Sequence, residues 1–118
     1  MSTKSTYVNL AYLEEMVGGS NELIIELVTI FNTQVPEFLE EMKTHYKNKD
    51  WKALGLIAHK AKSSVAIMGM TELAAALKEL ELNAKEAKNI ETYLDCITKF
   101  ETLGNLATQE LNEIVKNF

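Results

Sequence analysis

The amino-acid sequence predicts an all-α protein, an antiparallel up-down-up-down four-helix bundle with a short N-terminal capping helix. Three observations predict it. The 118 residues include one proline and five glycines while Leu, Ala, Glu and Lys abound, which is the composition of helices with short connections. Apolar residues recur at three- to four-residue steps through four long segments. The polar interruptions between these segments are only a few residues long, and short connections force successive helices to pack as antiparallel neighbours. With 47% hydrophobic residues, residues 1–118 are expected to form one domain that folds alone.

Asn9 can cap a short helix from about Leu10 to Val17, which Gly18-Gly19 stops because consecutive glycines favour left-handed conformations. Ser20 opens the next helix, whose apolar stripe is Leu23, Leu27, Phe31, Val35, Phe38, Leu39 and Met42. Pro36 removes one backbone donor, so a kink or mild break is expected near Asn32 to Thr33. After Asn48-Lys49-Asp50, a third helix runs from Trp51 with Leu54, Ile57, Ala58, Ala61, Val65 and Met68 inward, ending near Gly69. Thr71 can cap a fourth, with Leu73, Leu77, Leu80 and Ala84 inward and an end near Lys88-Asn89. A fifth segment extends from Ile90 to about Lys116, with Tyr93, Leu94, Ile97, Phe100, Leu103, Leu111, Ile114 and Val115 as core candidates and Gly104 as a point of bending or division.

The formal charge is −5, and all twelve basic residues are lysine. A clustered basic, arginine-rich footprint is missing, which argues against a nucleic-acid partner. Cys96 is the only cysteine, so neither an internal disulfide nor a thiolate zinc cage can form, and a reducing cytoplasm suits the chain. Residues 1–6 show no apolar leader core, and no stretch approaches the roughly 18 apolar residues of a membrane span. These features predict a cytoplasmic protein with no membrane partner. The initiating Met1 favours a free-standing chain, and a self-contained bundle a monomer.

The third helix holds the candidate chemistry. At about 100° per residue, His59 shares a side with Lys52, Gly55, Leu56, Lys62, Ser63 and Ala66, away from the apolar stripe, and is expected to face solvent. A solvated imidazole presents a nucleophilic lone pair that can attack phosphorus. Lys62, one turn along, and Lys60 offer positive charge to phosphoryl oxygens, and Ser63 and Ser64 offer hydroxyls. Gly55, Ser63 and Ala66 are small and Leu56 is apolar, a face that another protein could approach closely. A mid-helix glycine costs up to about 1 kcal/mol relative to alanine, so Gly55 is read as serving contact.

The run His59-Lys60-Ala61-Lys62-Ser63-Ser64, followed by Gly69, resembles the His-x-x-Lys-Gly-Ser pattern of histidine-containing phosphotransfer (HPt) domains, with its further glycine ten positions after the histidine. Asp50 before it, Leu73-Ala74 and Leu80-Glu81 after it, and the double glycine behind the first helix extend the resemblance over about residues 8 to 100. Ser63 stands where the family usually has glycine, and Ala61 where it usually has leucine. The resemblance implies that His59 accepts a phosphoryl group from a receiver-domain aspartate and passes it to another receiver, with Lys62 steadying the phosphate and Ser63 beside them. It implies response-regulator receiver domains and a hybrid sensor histidine kinase as partners. Gly55, Leu56, Lys60, Ala66 and Gly69 are the candidate partner-binding residues. Neither cofactor nor metal is expected, since the receiver brings the magnesium, and the chain is expected to be a phosphocarrier without autonomous kinase activity.

Other residues read as ordinary. His45, near the end of the second helix, suits the negative end of the helix dipole. Neither histidine has a glutamate three residues before it, as a di-iron bundle would need. Met42, Met68 and Met70, with Phe38 and Phe100, read as core filler. Gly69 by itself reads as a helix stop, and Lys78, Lys85 and Lys88 as a solvated face. Cys96 lacks a cationic neighbour that would make it a nucleophile, and the serines lack an Asp-His base. The alternative to phosphotransfer is a non-phosphorylated adapter that binds a receiver domain or sensor kinase.

Overall fold

The computed structural model describes residues 6–118, which form five α-helices and one 3₁₀ turn with no strand among them. The leader reading of residues 1–6 falls, but for Thr6, outside the described residues. Helix α1 spans Leu10–Met16, α2 Asn21–Lys47, α3 Trp51–Ile67, α4 Thr71–Lys85 and α5 Tyr93–Lys116, with the 3₁₀ turn at Ile90–Thr92.

Local capping sets most of these starts. The side chains of Asn9, Ser20 and Asp50 accept hydrogen bonds from the amides of Tyr12, Leu23 and Ala53, satisfying donors that a helix N-terminus leaves open. Thr71 is the first residue of α4 rather than its cap; Met70 takes the cap position without a side-chain hydrogen bond. Ala87 and Asn89 adopt left-handed conformations between α4 and α5, which ends α4 at Lys85, short of the expected Lys88-Asn89.

Neither Pro36 nor Gly104 divides its helix. Helix α2 runs unbroken through Pro36, because proline removes only the donor that would bond Asn32 one turn earlier and the remaining ladder continues. Helix α5 runs undivided through Gly104, which is buried. A Cβ at Gly104 would stand 3.0 Å from Val35, so this glycine admits the close approach of α2.

Helix α3 packs on α2 and α4, and α5 packs on the same two helices. The buried side chains are Ile24, Val28, Phe31, Val35 and Met42 of α2; Leu54, Ile57, Ala58, Ala61 and Val65 of α3; Leu73, Leu77, Leu80 and Ala84 of α4; and Tyr93, Ile97, Phe100, Ala107, Leu111 and Ile114 of α5. The α3 and α4 stripes are those the periodicity predicts. In α2, Leu23 is exposed and Leu27, Phe38 and Leu39 are only partly covered, while Ile24 and Val28 take the core positions. Leu94 of α5 is exposed. The apolar stripe of α2 is wider than the surface its neighbours cover, and the surplus faces outward beside α3.

The bundle end beyond α3 is tied to the N-terminal segment. The Asn9 amide donates to the Met68 carbonyl at 2.9 Å, and the amides of Thr6, Tyr7 and Val8 donate to the Glu110 carboxylate at 2.8 to 3.0 Å. Among the described residues, no helix is long and apolar enough to cross a membrane.

Candidate functional site

The site is built on the outer side of α3, with α4 on one flank and α2 on the other. The His59 side chain is 57% exposed. Its direction follows from the burial of Ala58 and Ala61 beside it: a helix that turns those two inward must turn His59 out.

On the α4 flank, Nδ1 of His59 lies 2.9 Å from Oε2 of Glu81, and Nζ of Lys62 donates to Oε1 of the same carboxylate at 3.1 Å. Glu81 and Lys62 are each about three-quarters covered. Burial works against the charged form of Glu81, but the hydrogen bonds and charges of Lys62 and His59 outweigh it and hold this carboxyl below its ordinary range. Sequence reasoning gave Glu81 no role; it appeared only as a flank of the motif. Its only local signal is its position directly after Leu80 on the α4 stripe, and only packing shows that this edge meets His59.

Gly55 is corrected by the structure. It is buried rather than displayed, and a Cβ there would stand 3.3 Å from the carbonyl oxygen of Glu81 and 3.5 Å from the Cβ of Ala84. The helix phase puts Gly55 on the α4 side of His59, where the partner surface is α4 itself. The missing side chain lets the backbones of α3 and α4 approach one turn before His59, which brings Glu81 within reach of the imidazole.

Gly69 adopts φ +73° at the end of α3, and a Cβ there would overlap the Cβ of Asn9. Ten residues at about 1.5 Å each separate it from His59 along the helix. It makes a turn and receives α1, the helix-stop role.

On the α2 flank lies an open groove of about 530 Å³ between α2 and α3. Leu27, Ile30, Phe31, Gln34 and Phe38 line it from α2, and His59, Lys60, Ser63, Ser64, Ile67 and Met68 from α3. Ser64 donates to Gln34 at 2.8 Å, bridging the two helices across the groove floor. Ser63 is exposed, and its hydroxyl turns back to the carbonyl of His59 at 3.3 Å. Leu56, Lys60 and Ala66 are exposed; Leu56 precedes the groove, and Ala66 borders a second depression with Asn9, Tyr12 and Gly69. The α2 side of the groove was not assigned from sequence, because Leu27 and Phe38 read as core.

His45 lies in the last turn of α2, outside this constellation. Burial pushes the Cys96 thiol up to about 11, which keeps it protonated and unreactive. Among the described residues no group of three or more His, Cys, Asp or Glu side chains is placed to hold a metal ion.

A helical bundle that displays a histidine and a lysine on one exposed helix face has the architecture of a phosphorelay carrier. The family model of the Hpt domain matches residues 26–116, and the chain belongs to that family. Its domains are phosphocarriers rather than kinases, taking part in histidine phosphotransfer and meeting receiver domains and kinases in phosphorelays. Comparison with curated proteins and with solved structures returned no match.

Proposed function

We propose that this chain carries a phosphoryl group on His59, accepting it from the aspartyl phosphate of one receiver domain and passing it to the aspartate of another. The observation that carries the reading is an exposed imidazole, one helical turn from Lys62, at the edge of an open apolar groove. The imidazole lone pair forms the N–P bond as the aspartyl O–P bond breaks, and the electron pair leaves with the carboxylate. No proton has to move for that exchange. Lys62 is near enough to turn its ammonium toward the phosphoryl oxygens, where a cation offsets charge in the transition state.

The docking face on this reading is the strip of Leu56, Lys60, Ser63 and Ala66 on α3, joined by Ile30 and Gln34 across the groove. Lys60 and Lys52 add positive charge near the edge that an acidic receiver pocket would meet. Ser63 keeps the helix surface beside His59 low, as the family glycine would, while adding a hydroxyl. The contact is small and transient, as signalling interfaces at the low end of the size range are.

The remaining parts of the reading are a single domain over residues 1–118, an antiparallel up-down-up-down helix order with α1 over one end, a monomer, a cytoplasmic setting, and a hybrid sensor kinase upstream. Connections of three residues between α2 and α3 and between α3 and α4 support the helix order, since so few residues cannot cross the bundle's length.

Incubation with a phosphorylated receiver domain and magnesium, followed by mass spectrometry, tests the function beside a His59→Gln control. Acid-labile phosphate on His59, absent from the control, is the expected result. Receivers that bind without ever labelling the chain would replace this reading with the adapter.

A further inference from the structure

We propose that the hydroxyl of Ser63 binds the phosphoryl group once it is on His59, and that this bond shifts the transfer equilibrium toward the phosphorylated carrier. The inference rests on the phosphocarrier reading and deepens it. It starts from the α3 wall of the groove, which His59, Lys60, Ser63 and Ser64 line together. Ser63 follows His59 by one helical turn, and side chains lean toward the N-terminus of their helix, so its hydroxyl is directed at the turn that carries the histidine. The 3.3 Å contact of Oγ with the His59 carbonyl shows that it reaches that turn.

The two hydroxyls on this wall are held differently. Ser64 donates to Gln34 at 2.8 Å, within the ordinary range for an O–H donor. The Ser63 bond, at 3.3 Å, is longer than that range, and its acceptor does not depend on it, because the His59 carbonyl also receives the Ser63 amide in the helix ladder. Ser63 is exposed, so rotation about χ1 can take its proton to another acceptor without leaving a buried polar group unpaired. A phosphoryl group on the imidazole supplies that acceptor. Its three oxygens carry most of two negative charges near neutral pH and hold a hydroxyl donor more closely and more strongly than a neutral carbonyl does. Lys62 lies on the α4 flank and Ser63 on the groove side, so the group is held from two directions.

The consequence is thermodynamic. In the transfer the imidazole nitrogen bonds to phosphorus as the aspartyl O–P bond breaks, and the electron pair leaves on the carboxylate. The Ser63 hydroxyl forms no covalent bond and keeps its proton. Its new hydrogen bond exists only in the phosphorylated carrier, so it favours phosphate on His59 over phosphate on the aspartate. The dianion is the better acceptor, so the same bond also favours the second ionisation of the phosphoryl group.

The test uses the full chain. Phosphoramidate labels it without a receiver: its P–N bond breaks as the His59 nitrogen attacks, and its nitrogen leaves as ammonia. A ³¹P titration of the labelled chain then reads the second ionisation of the phosphoryl group. Its midpoint is expected to move upward in Ser63→Ala and in Ser63→Gly, the residue of the family pattern, and to stay near wild type in Ser63→Thr, which keeps the hydroxyl. With a receiver and magnesium, the equilibrium constant for transfer to His59 should fall about 2- to 10-fold in Ser63→Ala and Ser63→Gly, the range of one hydrogen bond's net contribution. Docking strength cancels from that constant when the partners are dissociated, so a residue that only packs against the receiver would not move it. Circular dichroism confirms that each variant folds, and if Ser63→Gly does not, Ser63→Ala and Ser63→Thr decide. A folded Ser63→Ala with the wild-type midpoint and equilibrium, or a Ser63→Thr that loses as much as Ser63→Ala, would overturn the proposal. If neither phosphoramidate nor any receiver places phosphate on His59, the carrier reading falls and this inference with it; if His59 labels and the Ser63 variants match wild type, only the role of Ser63 falls. A chain that labels with phosphoramidate and shows the midpoint shift, yet exchanges phosphate with no receiver, overturns the carrier function while Ser63 stands as a phosphoryl ligand.

Discussion

Gly69→Ala should destabilise the fold by about 1.5 to 3.5 kcal/mol while leaving the chemistry at His59 intact. Two terms make up the magnitude. A left-handed conformation costs a residue with a Cβ about 1–2 kcal/mol, and Gly69 sits at φ +73°. The added methyl would also overlap the Cβ of Asn9 and stand 3.3 Å from its amide nitrogen. Relieving that overlap moves the start of α1 and strains the 2.9 Å bond from the Asn9 amide to the Met68 carbonyl, a contact with a net contribution of about 0.5–1.5 kcal/mol. Gly18→Ala separates the terms, since Gly18 has φ +64° but nothing within 4 Å of its would-be Cβ; it should cost only the conformational part, about 1–2 kcal/mol. Urea unfolding followed by far-ultraviolet circular dichroism measures both. Phosphoramidate labelling of His59, some 15 Å along the helix at 1.5 Å per residue, should proceed at the wild-type rate. A Gly69→Ala variant no less stable than Gly18→Ala, or one of full stability that no longer binds receivers, would refute the turn-and-packing account and return Gly69 to the docking face.

Three further outcomes follow from the geometry. Gly55→Leu should destabilise by about 1–3 kcal/mol, as overpacking does, and should also slow His59 labelling, because the larger side chain forces α4 and Glu81 away; thermal melting and phosphoramidate kinetics check the pair of effects. Ile30→Glu, at an exposed groove position, should weaken receiver binding about 10-fold or more with an unchanged melting temperature, the behaviour of an interface anchor, as read by calorimetric titration. The folded-state carboxyl of Glu81 lies below its ordinary value of 4.5, so its contribution to stability is fully present above that value and is lost as pH falls through the folded-state value. Urea midpoints taken from neutral to acid should therefore fall less steeply in Glu81→Gln than in the wild type.

Helix phase is a local property, and it was legible. The burial of Leu54, Ala58, Ala61 and Val65, and of Leu73, Leu77, Leu80 and Ala84, follows from spacing alone, because a residue's direction around its own helix depends only on its position in the chain. The same rule places His59 outward. Capping by Asn9, Ser20 and Asp50 is equally local, each side chain bonding an amide three residues on. By contrast, periodicity reports how wide an apolar stripe is and not how much of it a neighbour covers. Leu23, Leu27 and Phe38 therefore read as core although they border solvent, and the groove beside His59 was hidden inside what looked like an interior stripe.

The sequence by itself determined the helical class, the inward faces of α3 and α4 and the outward histidine, since each depends on interactions within a few residues. Only the tertiary structure decided what lies against that face. The rotation and distance of α4 relative to α3 bring Glu81, 22 residues away in the chain, onto Nδ1 of His59, and they turn Gly55 from a surface residue into the contact that permits the approach. The position of α2 leaves the groove open on the other side. Such relations depend on how whole helices pack, and a pattern that repeats every 3.6 residues within one helix carries no information about the rotation of the next.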